Sequence, residues 1–326
     1  MAPWVMLAVA TVGCGGVNTS PCSSVQQAGK TGDVILGEQC HDTKTFGEQG
    51  RLEVQGGVVT VDFDPAEFET PREVIWKWIR DAAGAVTAYY GHFPVAQCDL
   101  HITSSFGRGV GFGQASARPK IPRITVYMGR ETLAEDLADD WTLTHEMVHL
   151  AFPTMDRTHH WIEEGLATYI EPIARFKVGL RSEESVWQEW LLSMSQGQPE
   201  EGDRGLDFTH TWGRVYWGGA LFALVSDVEI RRTSSNRVGL RRALQGIMNA
   251  GGTMGASWTI TDAFATGDKT TQTQVLRSEY QKKRAAPEPV NLDELWTNLG
   301  VRLEQGRVVF DDHAPWAAIR KGILRD

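Results

Sequence analysis

The chain has 326 residues, 41% hydrophobic and 22% charged, a balance that allows a large buried core and excludes wholesale disorder. Lys and Arg total 32 against 41 Asp and Glu, a net charge of −9, which excludes a nucleic-acid binder that relies on a basic surface stripe. No apolar run reaches the ~20 residues needed to span a bilayer, so a polytopic membrane protein is excluded too.

Residues 1–13 read as a secretory signal, because Trp4 to Val12 is a short apolar run ending in small residues. Thr11-Val12-Gly13-Cys14 resembles the cleavage box of a bacterial lipoprotein, although no Lys or Arg precedes it and Thr11 stands where Leu is usual. The expected location is therefore exported: periplasm, outer membrane as a lipoprotein, or secreted. A lipid on Cys14 would be the only membrane contact. Residues 14–45 read as a flexible tether, rich in Gly, Ser, Thr and Gln in their first part. None of the four cysteines sits in a CxxC pair, which argues against a cysteine zinc site; pairing among Cys22, Cys40 and Cys98 is open.

From Arg51 to Phe63 apolar residues alternate around Gly56-Gly57, predicting a β-hairpin. Val74, Ile75, Trp78, Ile79, Ala82 and Val86 recur at three- and four-residue spacing, predicting a helix over Pro71 to Tyr90. Asp99–Thr103 and Ile124–Met128 are short strand candidates. Gly107 to Gly113 has glycine at every second position and not as GxGxxG, which excludes a dinucleotide loop and reads as a mobile loop. Helices follow at about 131–150, 160–177, 184–196, 213–232 and 238–249. A small hairpin at Val301 to Phe310 and a helix at Trp316–Ile323 close the chain. Strands first and helices after predict an α+β fold: an N-terminal α/β part over 46–130 and a mainly helical part over 131–326.

His145-Glu146-Met147-Val148-His149 is HExxH. On a helix, residues four apart stand one turn above each other, so His145 and His149 can aim two imidazole nitrogens at one metal ion. Glu146, ~100° around the helix, borders the cleft, where it can take a proton from a metal-activated water. Asp139 and Asp140 suit the helix start, and Pro153 limits its end. Two protein ligands do not make a stable zinc site, so a third is required. Phe152 and Met155 occupy the places where a metzincin has Gly and His, which removes that class. His159, His160, or a carboxylate on the helix that starts near Trp161 remain as candidates.

Here the residues resemble a family. Trp161-Ile162-Glu163-Glu164-Gly165 is similar to the Trp-x-x-Glu-Gly segment of the gluzincin metallopeptidases, whose glutamate is the third zinc ligand. The resemblance implies Glu164 as that ligand, with Glu163 its neighbour. Tyr216-Trp217-Gly218-Gly219-Ala220-Leu221 resembles the Tyr-bearing helix of the glycyl aminopeptidase and aminopeptidase N branches, where the tyrosine points at the oxyanion. The resemblance implies that role for Tyr216, and a phenol beside a metal is well suited to it. It spans about residues 130–326 and implies a thermolysin-like catalytic domain holding one zinc ion. The Gly-Ala-Met-Glu-Asn signature that grips a substrate amino terminus is absent, so endo- and exopeptidase action both stay open.

Two further residues are candidates for supporting roles. Glu171 lies two helical turns beyond Glu164 and could orient a ligand histidine. His210 precedes the Tyr216 helix and could help bind an oxyanion. The expected function is a zinc metallopeptidase acting on a peptide or protein substrate, with Glu146 as general base. The competing readings are a non-catalytic exported zinc-binding or interaction module with the same fold, and a zinc hydrolase of a non-peptide bond.

Overall fold

A computed structural model describes residues 35–36, 49–117 and 120–326. The segment read as a signal, Cys14 read as a lipid acceptor, Cys22 and Cys40 lie outside the described residues. Cys98 is a buried free thiol. No helix among the described residues is long and apolar enough to cross a membrane.

Within the segment read as a tether, β1 (Ile35–Leu36) pairs antiparallel with β2 (Gln49–Val54). β2 turns back into β3 (Gly57–Phe63), the expected hairpin. Val59, Val61 and Phe63 point inward, the period-two pattern of a sheet with one face on the core. α1 (Arg72–Tyr90) buries Ile75, Trp78, Ile79, Ala82 and Val86 and crosses over to β4 (Gln97–Ser105), parallel to β3. β5 (Val110–Ser116) and β6 (Arg123–Gly129) complete a six-stranded mixed sheet of order β1-β2-β3-β4-β6-β5. β5 is thus an edge strand, antiparallel to β6.

The single helix expected over 131–150 is two: α2 (Ala134–Asp139) and α3 (Thr142–His149). The break falls at Asp140, whose backbone is extended (φ −63, ψ 133). Its carboxylate accepts from the Leu143 N–H at 3.2 Å and from Trp78 Nε1 at 3.0 Å, capping α3 and tying it to α1. Burial raises the Asp140 carboxyl pKa, against those hydrogen bonds. The glycine-rich segment expected to be a mobile loop becomes a strand from Val110 onward. Its small residues lack the usual strand propensity, but Gly113 lets β5 press against α3: a Cβ there would fall 2.6 Å from Glu146 Cγ.

α4 (His160–Lys177) has the expected bounds and runs through Pro172, its packing outweighing one lost backbone bond. α5 (Glu183–Ser193) ends in a 3-10 turn, Met194–Gly197. A turn wound as π-helix, Arg214–Gly218, leads into α6 (Gly219–Thr233), followed by α7 (Leu240–Asn249). α8 (Ile260–Thr271), α9 (Val275–Lys283) and α10 (Leu292–Leu299) are helices beyond those expected from the sequence. α8 carries four threonines and a glycine, poor helix formers, yet Thr259 and Asp262 cap it reciprocally. β7 (Val301–Glu304) and β8 (Arg307–Phe310) form the expected hairpin before α11 (Ala317–Arg325). The fold is α+β, with one continuous apolar core running from the sheet through α1, α3, α4 and α6 to α7 and α8.

α4 and the start of α6 meet backbone to backbone. A Cβ on Gly165 would lie 2.2 Å from Gly219 Cα, and one on Gly219 would lie 2.2 Å from the Trp161 carbonyl oxygen. Two buried carboxylates fix α4 around this crossing. Asp207 accepts from Trp161 Nε1 at 3.0 Å and from the Tyr280 hydroxyl at 2.9 Å. Asp227 on α6 accepts from the Tyr169 hydroxyl, from Arg231 Nε and from the Leu240 N–H, each at 2.9 Å.

Gly165→Ala or Gly219→Ala should each lower stability by about 2 kcal/mol, the cost of overpacking where only backbone could give way. Gly84→Ala on α1, where a Cβ meets nothing within 4 Å, should raise it by ~0.5–1 kcal/mol. Urea unfolding measures all three; equal small effects would contradict the close crossing.

Candidate metal centre

α3 presents His145 and His149 one turn apart, and α4 runs past it to present Glu164. Glu164 Oε2 lies 3.1 Å from His145 Nε2 and 3.7 Å from His149 Nε2. One ligand atom from each of the three residues falls within 4.8 Å of the others. The imidazole rings stand 5.0 Å apart and nearly perpendicular, at 83°. Two imidazoles and a carboxylate, largely shielded from water, are a donor set that suits zinc.

The electrostatics of the cluster are strongly perturbed. Burial would raise the Glu164 carboxyl, but the hydrogen bond from His145 and the charges of His149, His145 and His160 hold it down to about 2. Burial pushes His149 down to about 4, towards the neutral form a metal ligand needs. Burial also opposes the charged form of His145, but its contact with Glu164 outweighs this and raises it. Glu146 does not join the donors. Its carboxylate accepts from the Ala115 N–H of β5, and burial pushes its pKa up to about 7, into the range of a general base.

Tyr216 occupies the π-wound turn, a form of helix often found at functional sites. Its ring stacks on His145 at 6.2 Å and on Trp212 at 5.6 Å. Burial raises its pKa first and the neighbouring Glu164 second, so the phenol stays protonated and donates a hydrogen bond to Glu164. The Gly165–Gly219 crossing explains this proximity: Tyr216 stands about one turn before Gly219, and Glu164 directly precedes Gly165.

The remaining candidates fall elsewhere. Glu163 faces His160, 3.7 Å away, and is not part of the three-donor cluster. His160 Nε2 lies 3.2 Å from the outer oxygen of Glu164. His159 is drawn into the Asp207 group, 3.0 Å from the Tyr280 hydroxyl. His210 is exposed in the loop before the π turn. Glu171 is buried and paired with Arg175 at 3.0 Å, and Arg175 also reaches the Ala138 carbonyl at the end of α2. Both line a 740 Å³ cavity that opens beside His145 and Tyr216, between α4, α5 and the π turn.

Sequence reasoning missed Gly113, Asp207, Asp227 and this cavity. Asp227 leaves a trace, an acid inside an apolar helix with Arg231 four residues on. Asp207, in an irregular loop, leaves none.

Burial pushes the Glu171 carboxyl up to about 7, against the pull of Arg175. The unfolded carboxyl titrates near its ordinary 4.5. The folded state therefore holds a proton that the unfolded chain has released between these values. Its contribution to stability is full below 4.5 and is lost as pH rises through about 7. Glu171→Gln should flatten the stability-versus-pH curve of the zinc-free protein between these values, and an unchanged curve would contradict the assignment. Zinc at a thousandfold excess over Kd should stabilise the wild type by about 4 kcal/mol, and His149→Ala should abolish that shift in a thermal melt.

Neither a family model nor a curated protein sequence matches the chain. Solved structures do. An aminopeptidase N family protein from Idiomarina loihiensis superposes at TM-score 0.55 with 16% identity, covering 78% of this chain and 49% of that one. The M1 zinc metallopeptidase from Deinococcus radiodurans gives TM-score 0.46 and 16% identity, covering 76% of this chain and 53% of that one. The chain spans about half the length of these structures. At this identity the likeness is one of fold: the chain shares the fold of the aminopeptidase N family protein over most of its length, and its His145, His149 and Glu164 form a cluster able to hold a metal ion.

Proposed function

We propose that the chain is a zinc-dependent peptidase. The observation that carries this reading is the convergence of three elements on one point: two imidazoles and the neighbouring Glu146 carboxyl from α3, the Glu164 carboxylate from α4, and the Tyr216 phenol from the π turn. His145, His149 and Glu164 would hold the ion. When bound, zinc supplies a Lewis acid that acidifies water and polarises a carbonyl.

The chain's own groups supply the rest. Glu146, with its carboxyl near 7, accepts a proton from the attacking water and returns it to the leaving amine. Tyr216, held protonated, donates a hydrogen bond to the oxygen that gains negative charge. β5 provides a place for the substrate backbone. It is the sheet edge, it touches the general base through Ala115 and Gly113, and an extended peptide can add to it as a further strand. The fold shared with the aminopeptidase N family protein agrees with peptide-bond hydrolysis as the chemistry, and peptide or protein is the substrate this reading assigns.

Glu146→Gln should cut peptide turnover by about 10²–10⁴-fold with zinc content unchanged. Tyr216→Phe should lower kcat by about 10²–10³-fold, also with zinc retained. Metal analysis beside a peptide-library assay reads both. Full activity in Glu146→Gln removes the general-base role, and zinc binding without turnover of any peptide favours a non-catalytic binding module.

A further inference from the structure

We infer that the 740 Å³ cavity beside the metal centre receives a basic side chain of the substrate, arginine or lysine, next to the scissile bond. This rests on the peptidase reading and deepens it. The cavity begins at His145 and Tyr216, so a side chain flanking the reacting carbonyl is the group positioned to enter it. Its walls include Trp141, Trp212 and Trp217, two of them exposed towards the cleft. Indole faces attract a cation by their quadrupole, most strongly for a guanidinium that can also stack.

The polar wall points the same way. Three acids, Asp139, Glu171 and Glu189, face two guanidiniums, Arg175 and Arg181, leaving one negative charge in excess once pH rises above about 7 and Glu171 gives up its proton. Both arginines are already turned to protein acceptors. Arg175 donates to Glu171 and to the Ala138 carbonyl; Arg181 donates to Glu189, the Ser185 hydroxyl and the Ser185 carbonyl. Two of the lining hydroxyls are engaged as donors, Thr168 with the Glu164 carbonyl and Ser185 with the Ser182 carbonyl, while those of Ser182 and Ser193 can donate or accept. The acceptors are not used up. Glu171 and Glu189 each pair through one oxygen, and among the described residues neither the second oxygens nor Asp139 takes a hydrogen bond. A cavity with free acceptors, aromatic faces and an excess negative charge fits a donor-rich cation and disfavours an acidic side chain.

Otherwise identical peptides carrying Arg, Lys, citrulline, Leu or Glu on either side of the scissile bond test this on the zinc-loaded protein. Citrulline keeps the shape of arginine without its charge. The Arg or Lys peptide should exceed citrulline, Leu and Glu by about tenfold or more in kcat/KM, and Glu189→Gln or Glu171→Gln should narrow that gap. Agmatine, followed by calorimetry, should bind the wild type and bind Glu189→Gln more weakly. Zinc-dependent cleavage that favours Leu or Glu, or a gap unchanged in both variants, overturns the inference. No cleavage of any peptide, with agmatine binding that Glu189→Gln weakens, would sink the peptidase reading and leave the cation site standing. Neither cleavage nor agmatine binding overturns both.

Discussion

The site depends on the absence of two side chains. At Gly165 and Gly219 the backbones of α4 and α6 touch, and any Cβ would force them apart. Helices crossing with ordinary side chains between them keep their axes 8–10 Å apart, by rough rule. Closer contact puts residues flanking the crossing within reach of each other. Glu164 and Tyr216 are such residues, one on α4 and one on the π turn that leads into α6. The same glycine pair therefore sets where the third donor stands and where the phenol lies over His145.

Everything else holds that crossing against slip. Asp207 grips the first turn of α4 through Trp161 and links it to α9 through Tyr280. Asp227 grips the middle of α4 through Tyr169 and joins it to α6 and the start of α7. Both acids are buried and each accepts three hydrogen bonds shared over its two oxygens, the condition under which a buried charge rigidifies and does not merely destabilise. On the other side, α3 is fixed to α1 by Asp140 and to the sheet edge by Gly113, which seats Glu146 between helix and strand. The donors thus come from rigid elements, while the exposed Trp141 and Trp212 frame the open side.

Much of this was legible in the sequence because its signals are local. HExxH places two imidazoles by helix geometry alone, and α4 has an apolar stripe long enough to give both of its ends. Glu164 was legible through a resemblance; its placement against His145 is a tertiary fact that no spacing contains. The illegible parts are those where contact overrides propensity. β5 reads as a loop because glycines replace strand formers, and at one of them, Gly113, the missing side chain makes room for α3. α8 lacks strong propensity and leans on its Thr259–Asp262 cap, and α9 has neither a side-chain cap nor a broad apolar stripe and rests on what it packs against; α10, by contrast, has Leu292, Leu295, Trp296 and Leu299 at helical spacing and was legible. The cavity is assembled from segments more than seventy residues apart, so only the fold brings its charges and indoles together.

The most direct measurement is an anomalous-difference map from crystals of the protein grown with zinc. The account predicts one strong peak bonded at about 2.0–2.2 Å to an imidazole nitrogen of His145, another of His149 and a carboxylate oxygen of Glu164. A peak held by other residues, or none at this crossing while the protein stays folded, would contradict it.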